Sequence, residues 1–199
     1  IDANYRTIPE RASRGLAGHS MGGYGTMRIG MKYPDVFAAL YAMSPCCMGA
    51  NMTPSQEQFA NALATQNDEQ LSQADFGTSA MLASAAVWSP NPDNPPFYVD
   101  LPYKDGELQT DVVARWVANA PLVMLHQYIP QLKSFEDVLI DAGDSDVGIA
   151  ATVVEMSAIL NAYGVAHRSE IYEGNHVSGI HERITSNLMP MFTEVLVSQ

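Results

Sequence analysis

The residue best suited to covalent chemistry in this sequence is Ser20, which lies in the run Gly18-His19-Ser20-Met21-Gly22. The run matches the pattern G-x-S-x-G, in which a serine sits on a sharp turn between a strand and a helix. Such a turn holds the hydroxyl at a helix N-terminus, where backbone N–H groups and the helix dipole favour negative charge. We therefore predict that Ser20 is the nucleophile of an acyl transfer and that the backbone N–H of Met21 binds the oxyanion.

The glycines of this pattern have a steric role. A sharp turn brings the strand and the helix close together, so we expect that neither Gly18 nor Gly22 can carry a side chain. The alternative is a tight glycine turn in which Ser20 has no chemical role.

A serine nucleophile needs a base, and the base needs an acid that orients it. In this motif the order along the chain is serine, acid, histidine, each partner following a strand. The segment "EGNHVSGIH" offers His176 and His181. We predict that His176 is the base, because it lies in a Gly-Asn turn just past a predicted strand, whereas His181 falls in the next helix.

Three aspartates in "DAGDSDVG" are candidates for the orienting acid: Asp141, Asp144 and Asp146. We favour Asp146, because it lies furthest along the loop and could reach the imidazole. The stretch also partly matches a calcium loop, but Gly148 and Ile149 occupy positions that need a ligand and a turn glycine. We therefore predict no metal site, and the triad chemistry needs no cofactor.

The elements that must position these residues alternate along the chain. The segments "RGLAGH", "VFAALYAMS", "FEDVLIDAG" and "HRSEIYE" predict four strands, and the intervening segments have helical periodicity. This order predicts an α/β fold with a mostly parallel sheet flanked by helices. A short helix is also expected over residues 1–8, and a kink in the last helix at Pro190.

Residues 49–110 differ in composition from the rest of the chain. A Gln- and Asn-rich stretch is followed by the proline-rich "WSPNPDNPPFYVDLPY". We interpret 49–110 as an insertion in a single domain spanning 1–199, forming a cap over the site. Trp88 in the insertion and His19 beside the nucleophile are candidates for substrate contact.

Composition excludes some partners. The chain has 10 Lys and Arg against 22 Asp and Glu, a net charge of −12, which argues against nucleic acid or an anionic membrane as a partner. No apolar run approaches the roughly 18 residues of a membrane span. The adjacent Cys46 and Cys47 are interpreted as small buried side chains at a strand end, since neighbours rarely form a disulfide. The composition indicates no particular cellular compartment.

Four segments of the chain carry a family resemblance: "YRTIPERASRGLAGHSMGGYGTMRIGMKYPDVFAAL", "DLPY…WVANAPL", "LIDAGDSD" and "EIYEGNHVSGIHERI". They resemble the esterase-D-like branch of the α/β-hydrolases, which includes feruloyl and other carboxylesterases, S-formylglutathione hydrolases and mycolyltransferases. The resemblance implies an α/β-hydrolase fold, the triad Ser20, Asp146 and His176, and a small-molecule ester as substrate.

The chain departs from that family at its start. Family members carry a much longer segment before the serine turn, which supplies the first strands and a second oxyanion donor. Here only 17 residues precede Gly18. We therefore expect a C-terminal part of a larger enzyme, with an N-terminal segment of the same precursor as its partner.

The sequence as a whole predicts a serine carboxylic-ester hydrolase that works through an acyl-enzyme. The alternatives on the same triad are an acyltransferase and a thioesterase acting on S-formylglutathione. A binding module that keeps the fold without catalysis is a further alternative, which the presence of all three triad residues disfavours.

Overall fold

Four parallel strands form the sheet that organises the molecule. The computed structural model describes residues 1–50 and 56–198. Its strands are β1 (Gly15–His19), β2 (Ala39–Met43), β3 (Tyr103–Lys104), β4 (Glu107–Leu108), β5 (Asp137–Gly143) and β6 (Arg168–Tyr172). Strands β1, β2, β5 and β6 pair in that spatial order, and β3 and β4 form a separate antiparallel pair. The four predicted strands and the α/β class are confirmed.

The helices are mostly short outside the segments that follow the main strands. They are α1 (Met21–Lys32), α2 (Gln56–Ala64), α3 (Asp68–Gln73), α4 (Phe76–Trp88), α5 (Thr110–Val117), α6 (Pro121–Met124), α7 (Ile129–Leu132), α8 (Val147–Ala162), α9 (Ile180–Arg183) and α10 (Met189–Val195). Two 3-10 turns lie at Arg11–Ser13 and Leu125–Gln127, and a π-helical segment spans Ile184–Leu188. Within the described residues, no helix combines the length and the apolar character needed to cross a membrane.

The register of the sheet brings the strand ends side by side. His19 pairs with Met43, Met43 with Asp141, and Asp141 with Glu170, all in parallel ladders. Because parallel strands share one carboxyl edge, the loops that come after all four strands emerge at the same place.

Helices cover both faces of the sheet. On one face α1 packs so closely that a Cβ added at Gly30 would lie 2.6 Å from Leu40 Cδ1. On the other face Tyr41 and Leu139 pack with Met191 of α10 in a buried apolar cluster. Alternation of side chains along β2 explains why Leu40 and Tyr41 contact different layers.

The helix predicted for residues 1–8 is wrong. The N–H groups of Asn4 and Tyr5 both donate to the Ile1 carbonyl, which makes a single turn, and the Thr7 hydroxyl donates to Asp2. A helix this short is unstable without tertiary packing, and Pro9 follows directly.

The last helix contains a π-helical segment that the sequence did not predict. The regular α-helix ends at Arg183, and the π-helical segment Ile184–Leu188 interrupts it before Pro190 is reached. Pro190 lies in the first turn of α10, directly after the π-helical segment, and the kink predicted there stays a prediction.

The chain divides into two compact units, Ile1–Gly49 with Met124–Gln199, and Ala50–Val123. The first contains the parallel sheet. In the second, Trp88 and Trp116 pack edge to face with ring centroids 5.2 Å apart, and the Trp116 indole N–H donates to the Ser89 hydroxyl at 2.8 Å. The predicted insertion 49–110 includes residues 51–55, which lie outside the described residues, and its assignment as a cap stays a prediction.

Candidate active site

Ser20 occupies the turn between β1 and α1 in a backbone conformation that is rare for a residue with a side chain. Its φ is 57° and its ψ is −114°, and a conformation of this kind costs on the order of 1–3 kcal/mol. Hydrogen bonds hold the turn: the Ser20 N–H donates to the Met43 carbonyl at 2.9 Å, and the Ser20 carbonyl accepts from the Tyr24 N–H at 3.0 Å. The half-buried Ser20 hydroxyl is thereby fixed at the N-terminus of α1.

The two glycines of the motif differ in their steric surroundings. A Cβ at Gly18 would lie 2.4 Å from the carbonyl carbon and oxygen of Gly22, so this position requires glycine. A Cβ at Gly22 would meet nothing within 4 Å. The sequence prediction is therefore right for Gly18 and wrong for Gly22, because the clash involves the backbone of residue 22 and not its side chain.

A hydrogen-bonded relay connects three side chains that are far apart in sequence. His176 Nε2 lies 2.9 Å from Ser20 Oγ, and His176 Nδ1 lies 2.6 Å from Asp146 Oδ2. A neutral imidazole with its proton on Nδ1 donates to Asp146 and accepts from the Ser20 hydroxyl. The His176 side chain is 37% exposed and that of Asp146 18%, so the relay is open to a substrate at the histidine end.

Of the three candidate aspartates, Asp146 contacts the imidazole, and the other two have different partners. Asp144 accepts from the Gly174 N–H at 3.0 Å, and this hydrogen bond is the main cause that lowers the pKa of the Asp144 carboxyl. Asp141 is fully buried in β5, where it accepts from the Tyr41 hydroxyl. Asp144 thus holds the loop that carries His176 in place, whereas the Asp141 side chain is part of the protein interior.

His19 contacts the candidate base from the side. Its Nε2 lies 2.7 Å from the His176 carbonyl and donates to it, and the two rings are 4.8 Å apart. His181 lies exposed in α9. The other two histidines have structural partners: His126 contacts the Tyr163 hydroxyl and His167 the Ser157 hydroxyl.

Met21 and Trp88 complete the predicted site residues. Met21 is the first residue of α1, where backbone N–H groups have no partner within the helix. Trp88 lies buried in the second unit against Trp116. The substrate contacts predicted for His19 and Trp88 stay predictions. Among the described residues, no three His, Cys, Asp or Glu side chains are grouped as metal ligands would be.

A buried charge network, for which the sequence pattern holds little signal, lies beside the loop of His176. Arg183 of α9 donates from Nε to Asp141 Oδ2 at 2.6 Å and from Nη2 to Glu170 Oε2 at 2.9 Å. Its guanidinium lies over the Tyr172 ring, 4.3 Å from the centroid.

Burial raises the pKa of Asp141, and the Tyr41 hydroxyl and Arg183 counteract that rise. Tyr172 lies just before the loop that carries His176, and Arg183 lies just after it. The network therefore anchors both ends of this loop. The sequence contains one indication of this network: Asp141 is an acidic residue inside the apolar run "VLIDAG".

The two cysteines also lie at this edge of the sheet. The Cys46 N–H donates to the Ser20 carbonyl at 3.2 Å, and both thiols are free and partly exposed. The prediction that they are buried strand-end residues is wrong, since β2 ends at Met43 and the chain then turns toward Ser20.

Comparison with known proteins agrees with this architecture. Residues 1–184 match the sequence profile of the "Putative esterase" family. A ferulic acid esterase structure is 20% identical with a TM-score of 0.61, and the match covers 98% of this chain and 56% of that one. An S-formylglutathione hydrolase from Staphylococcus aureus is 17% identical with a TM-score of 0.59, the match covering 96% of this chain and 58% of that one.

A third similar structure is fluorophosphonate-binding serine hydrolase F from Staphylococcus aureus, with substrate bound. It is 17% identical with a TM-score of 0.59, and the match covers 99% of this chain and 59% of that one. At these identities the three likenesses establish the fold. The chain spans a little more than half the length of each of these structures.

Proposed function

Because this chain belongs to the "Putative esterase" family, we propose that it carries the Ser-His-Asp triad of a serine carboxylic-ester hydrolase. Ser20 is the nucleophile, His176 the general base and Asp146 the acid that orients it. The observation that carries the proposal is the pair of hydrogen bonds at 2.9 Å and 2.6 Å that joins the three side chains.

The first half of the reaction acylates Ser20. His176 Nε2 takes the hydroxyl proton as Ser20 Oγ attacks the ester carbonyl carbon, and Asp146 stabilises the imidazolium that forms. The carbonyl oxygen becomes an oxyanion, which the N–H of Met21 stabilises at the N-terminus of α1. The imidazolium then protonates the leaving alcohol, and the acyl group remains on Ser20.

The second half regenerates the enzyme. His176 takes a proton from water, the resulting hydroxide attacks the acyl carbon, and Ser20 leaves with a proton returned by His176. Both halves use the same three side chains, and the N–H of Met21 stabilises the oxyanion in each half.

The strained turn at Ser20 supports catalysis over a purely structural role for the serine. A non-glycine residue keeps a backbone conformation such as φ 57° only when the surrounding structure holds it there. Such residues cluster at active sites. A binding module would need neither the strain nor an imidazole in contact with the hydroxyl.

The substrate class is an ester with an accessible carbonyl. We propose to test p-nitrophenyl esters of increasing acyl length first, then methyl ferulate and S-formylglutathione, since similar structures include a ferulic acid esterase and an S-formylglutathione hydrolase. Turnover of S-formylglutathione well above that of the oxygen esters would favour the thioesterase alternative.

The decisive variant is Ser20→Ala in the full chain. We expect hydrolysis of p-nitrophenyl esters to fall on the order of 10⁴-fold or more, because the acyl-enzyme cannot form. A fluorophosphonate probe should label the wild-type protein at residue 20 and leave the variant unlabelled. The measurements are steady-state kinetics and intact mass.

Ser134→Ala is the matched control, since this exposed serine bonds the Gln131 carbonyl. The control should keep wild-type turnover and labelling. Equal turnover in Ser20→Ala and the wild type would overturn the assignment of the nucleophile.

A further inference from the structure

Two thiols lie in contact beside the candidate nucleophile. Cys46 Sγ and Cys47 Sγ are 3.0 Å apart, with the Cys47 thiol donating to Cys46. Both side chains are partly exposed and neither forms a disulfide. A solvent-accessible thiol that accepts a hydrogen bond from a second thiol is suited to act as a thiolate nucleophile.

Cys46 also contacts Ser20 directly. Its N–H donates to the Ser20 carbonyl at 3.2 Å. The hydrogen bond from Cys47 lowers the pKa of Cys46 to about 7, against the opposing effect of burial. The same hydrogen bond raises the pKa of Cys47. The two thiols are therefore unequal, and Cys46 is the reactive one near neutral pH.

We propose that Cys46 is a modification site for small-molecule disulfides, and that a group attached there blocks the reaction at Ser20. The first part depends on the two thiols and their surroundings. The second part rests on the proposed function, because it takes Ser20 as the nucleophile.

The modification is a thiol–disulfide exchange. The Cys46 thiolate attacks one sulfur of a disulfide R–S–S–R, the S–S bond breaks, and R–S⁻ leaves and takes a proton from water. Cys46 then carries –S–R, and no further oxidant is consumed. A reducing dithiol reverses the step and restores the thiol.

Contact with Ser20 explains why the modification should inhibit. The added group stands on a residue whose backbone N–H is bonded to the Ser20 carbonyl, beside the place where the ester must approach Ser20. Displacement of reacting groups by about 1 Å can reduce the rate on the order of a hundredfold, and we expect a loss of at least this size.

The test treats the full chain with 2,2′-dithiodipyridine. This reagent is neutral, so the net charge of −12 does not repel it, and it releases a coloured thione on exchange. Thione release, intact mass and peptide mapping locate the modified cysteine without reference to ester hydrolysis. Turnover is then measured for each sample relative to its own untreated protein, before and after reduction.

We expect Cys46 to be modified first, with a rate that rises through pH about 7 as the thiolate forms. In Cys47→Ala the hydrogen-bond donor is missing, so the rate at neutral pH should fall and its rise should move to higher pH. Cys46→Ala should release no fast thione, and its remaining turnover should resist the reagent.

Each result has a clear meaning. Modification of Cys47 before Cys46, or reaction of Cys46 with the pH profile of an ordinary thiol, overturns the site. Complete modification of Cys46 with full turnover overturns the block at Ser20. If Ser20→Ala retained wild-type activity, the proposed function would fail, but the thione and mass measurements would still decide whether Cys46 is the modification site.

Discussion

The three aspartates near the end of β5 show how the surroundings of a carboxylate decide its role. Asp141 is enclosed by protein and bound by Arg183. Asp144 accepts a backbone N–H at the surface, and Asp146 reaches the imidazole of His176. The side chains are chemically the same, so their different roles come from the positions that the backbone gives them.

The role of Asp146 can be tested with the variant Asp146→Asn. We expect kcat for p-nitrophenyl ester hydrolysis to fall on the order of 10⁴-fold, because an amide neither fixes the imidazole tautomer nor stabilises the imidazolium. KM should change much less, since Asp146 lies behind His176 and away from the ester.

Asp144→Asn is the control for this prediction. Its amide oxygen can still accept the Gly174 N–H, so the loop of His176 should keep its position and most of the turnover should remain. A loss at Asp144 as large as the loss at Asp146 would contradict the assignment of the orienting acid.

At the scale of elements, the site is built from the loops at the carboxyl ends of the four parallel strands. Ser20 comes after β1, Cys46 after β2, Asp146 after β5 and His176 after β6. Parallel pairing brings these loops to one edge, which is where open α/β sheets bind ligands. The β1–α1 turn is the tightest of these connections, because the backbone of residue 22 presses against residue 18.

The two glycines of that turn should respond differently to substitution by alanine. Gly18→Ala should destabilise the fold by at least about 1–3 kcal/mol, because its Cβ would overlap the backbone at residue 22. Gly22→Ala should leave stability unchanged or raise it by up to about 1 kcal/mol, because alanine favours a helix and open space surrounds its Cβ. Urea denaturation of both variants is the measurement.

The sign of the difference makes this comparison informative. If Gly22→Ala were the more harmful substitution, the steric account of the turn would be wrong, although the serine could still be the nucleophile.

At the scale of the whole molecule, acidic groups dominate the charge and determine the response to pH. A hydrogen bond from Asn91 and the pairing with Arg115 lower the pKa of Asp100, and Arg183 lowers the pKa of Glu170. A carboxyl whose pKa is lowered on folding stabilises the native state above its unfolded pKa. That stabilisation is lost as the pH falls through the folded value. Asp141 has the opposite sign, because burial raises its pKa.

We therefore expect Tm to fall as the pH is lowered from about 5 to about 3, where carboxylates of lowered pKa become protonated. Asp100→Asn should lower Tm at neutral pH, because the ion pair with Arg115 is lost. The difference between variant and wild type should shrink in acid, where Asp100 is itself losing its charge. Differential scanning calorimetry at several pH values tests this.

Asp105→Asn provides the comparison within the same unit, since Asp105 is exposed in the turn between β3 and β4. The Tm of this variant should equal the Tm of the wild type at every pH. A deficit in Asp100→Asn that stayed constant down to pH about 3 would show that charge is not the cause.

Local residue types were sufficient to predict several features of this protein. The glycines around Ser20 predict a strand, a sharp turn and a helix, and β1, Ser20 and α1 occur in that order. Short segments between helical stretches predicted the four strands of the sheet, because side-chain periodicity reflects local geometry. The order of Ser20, Asp146 and His176 along the chain could also be read directly.

Other features depend on which chain segments meet, and these emerged only from the folded arrangement. The fold places Asp141 against Arg183, bonds His19 to the His176 carbonyl, and brings Cys46 to Ser20. The network of Arg183 could not be predicted from the sequence for the same reason, since its partners lie on different strands. Hydrogen bonds between distant segments leave no periodic signal in the sequence, because they form only when parallel pairing aligns the strand ends.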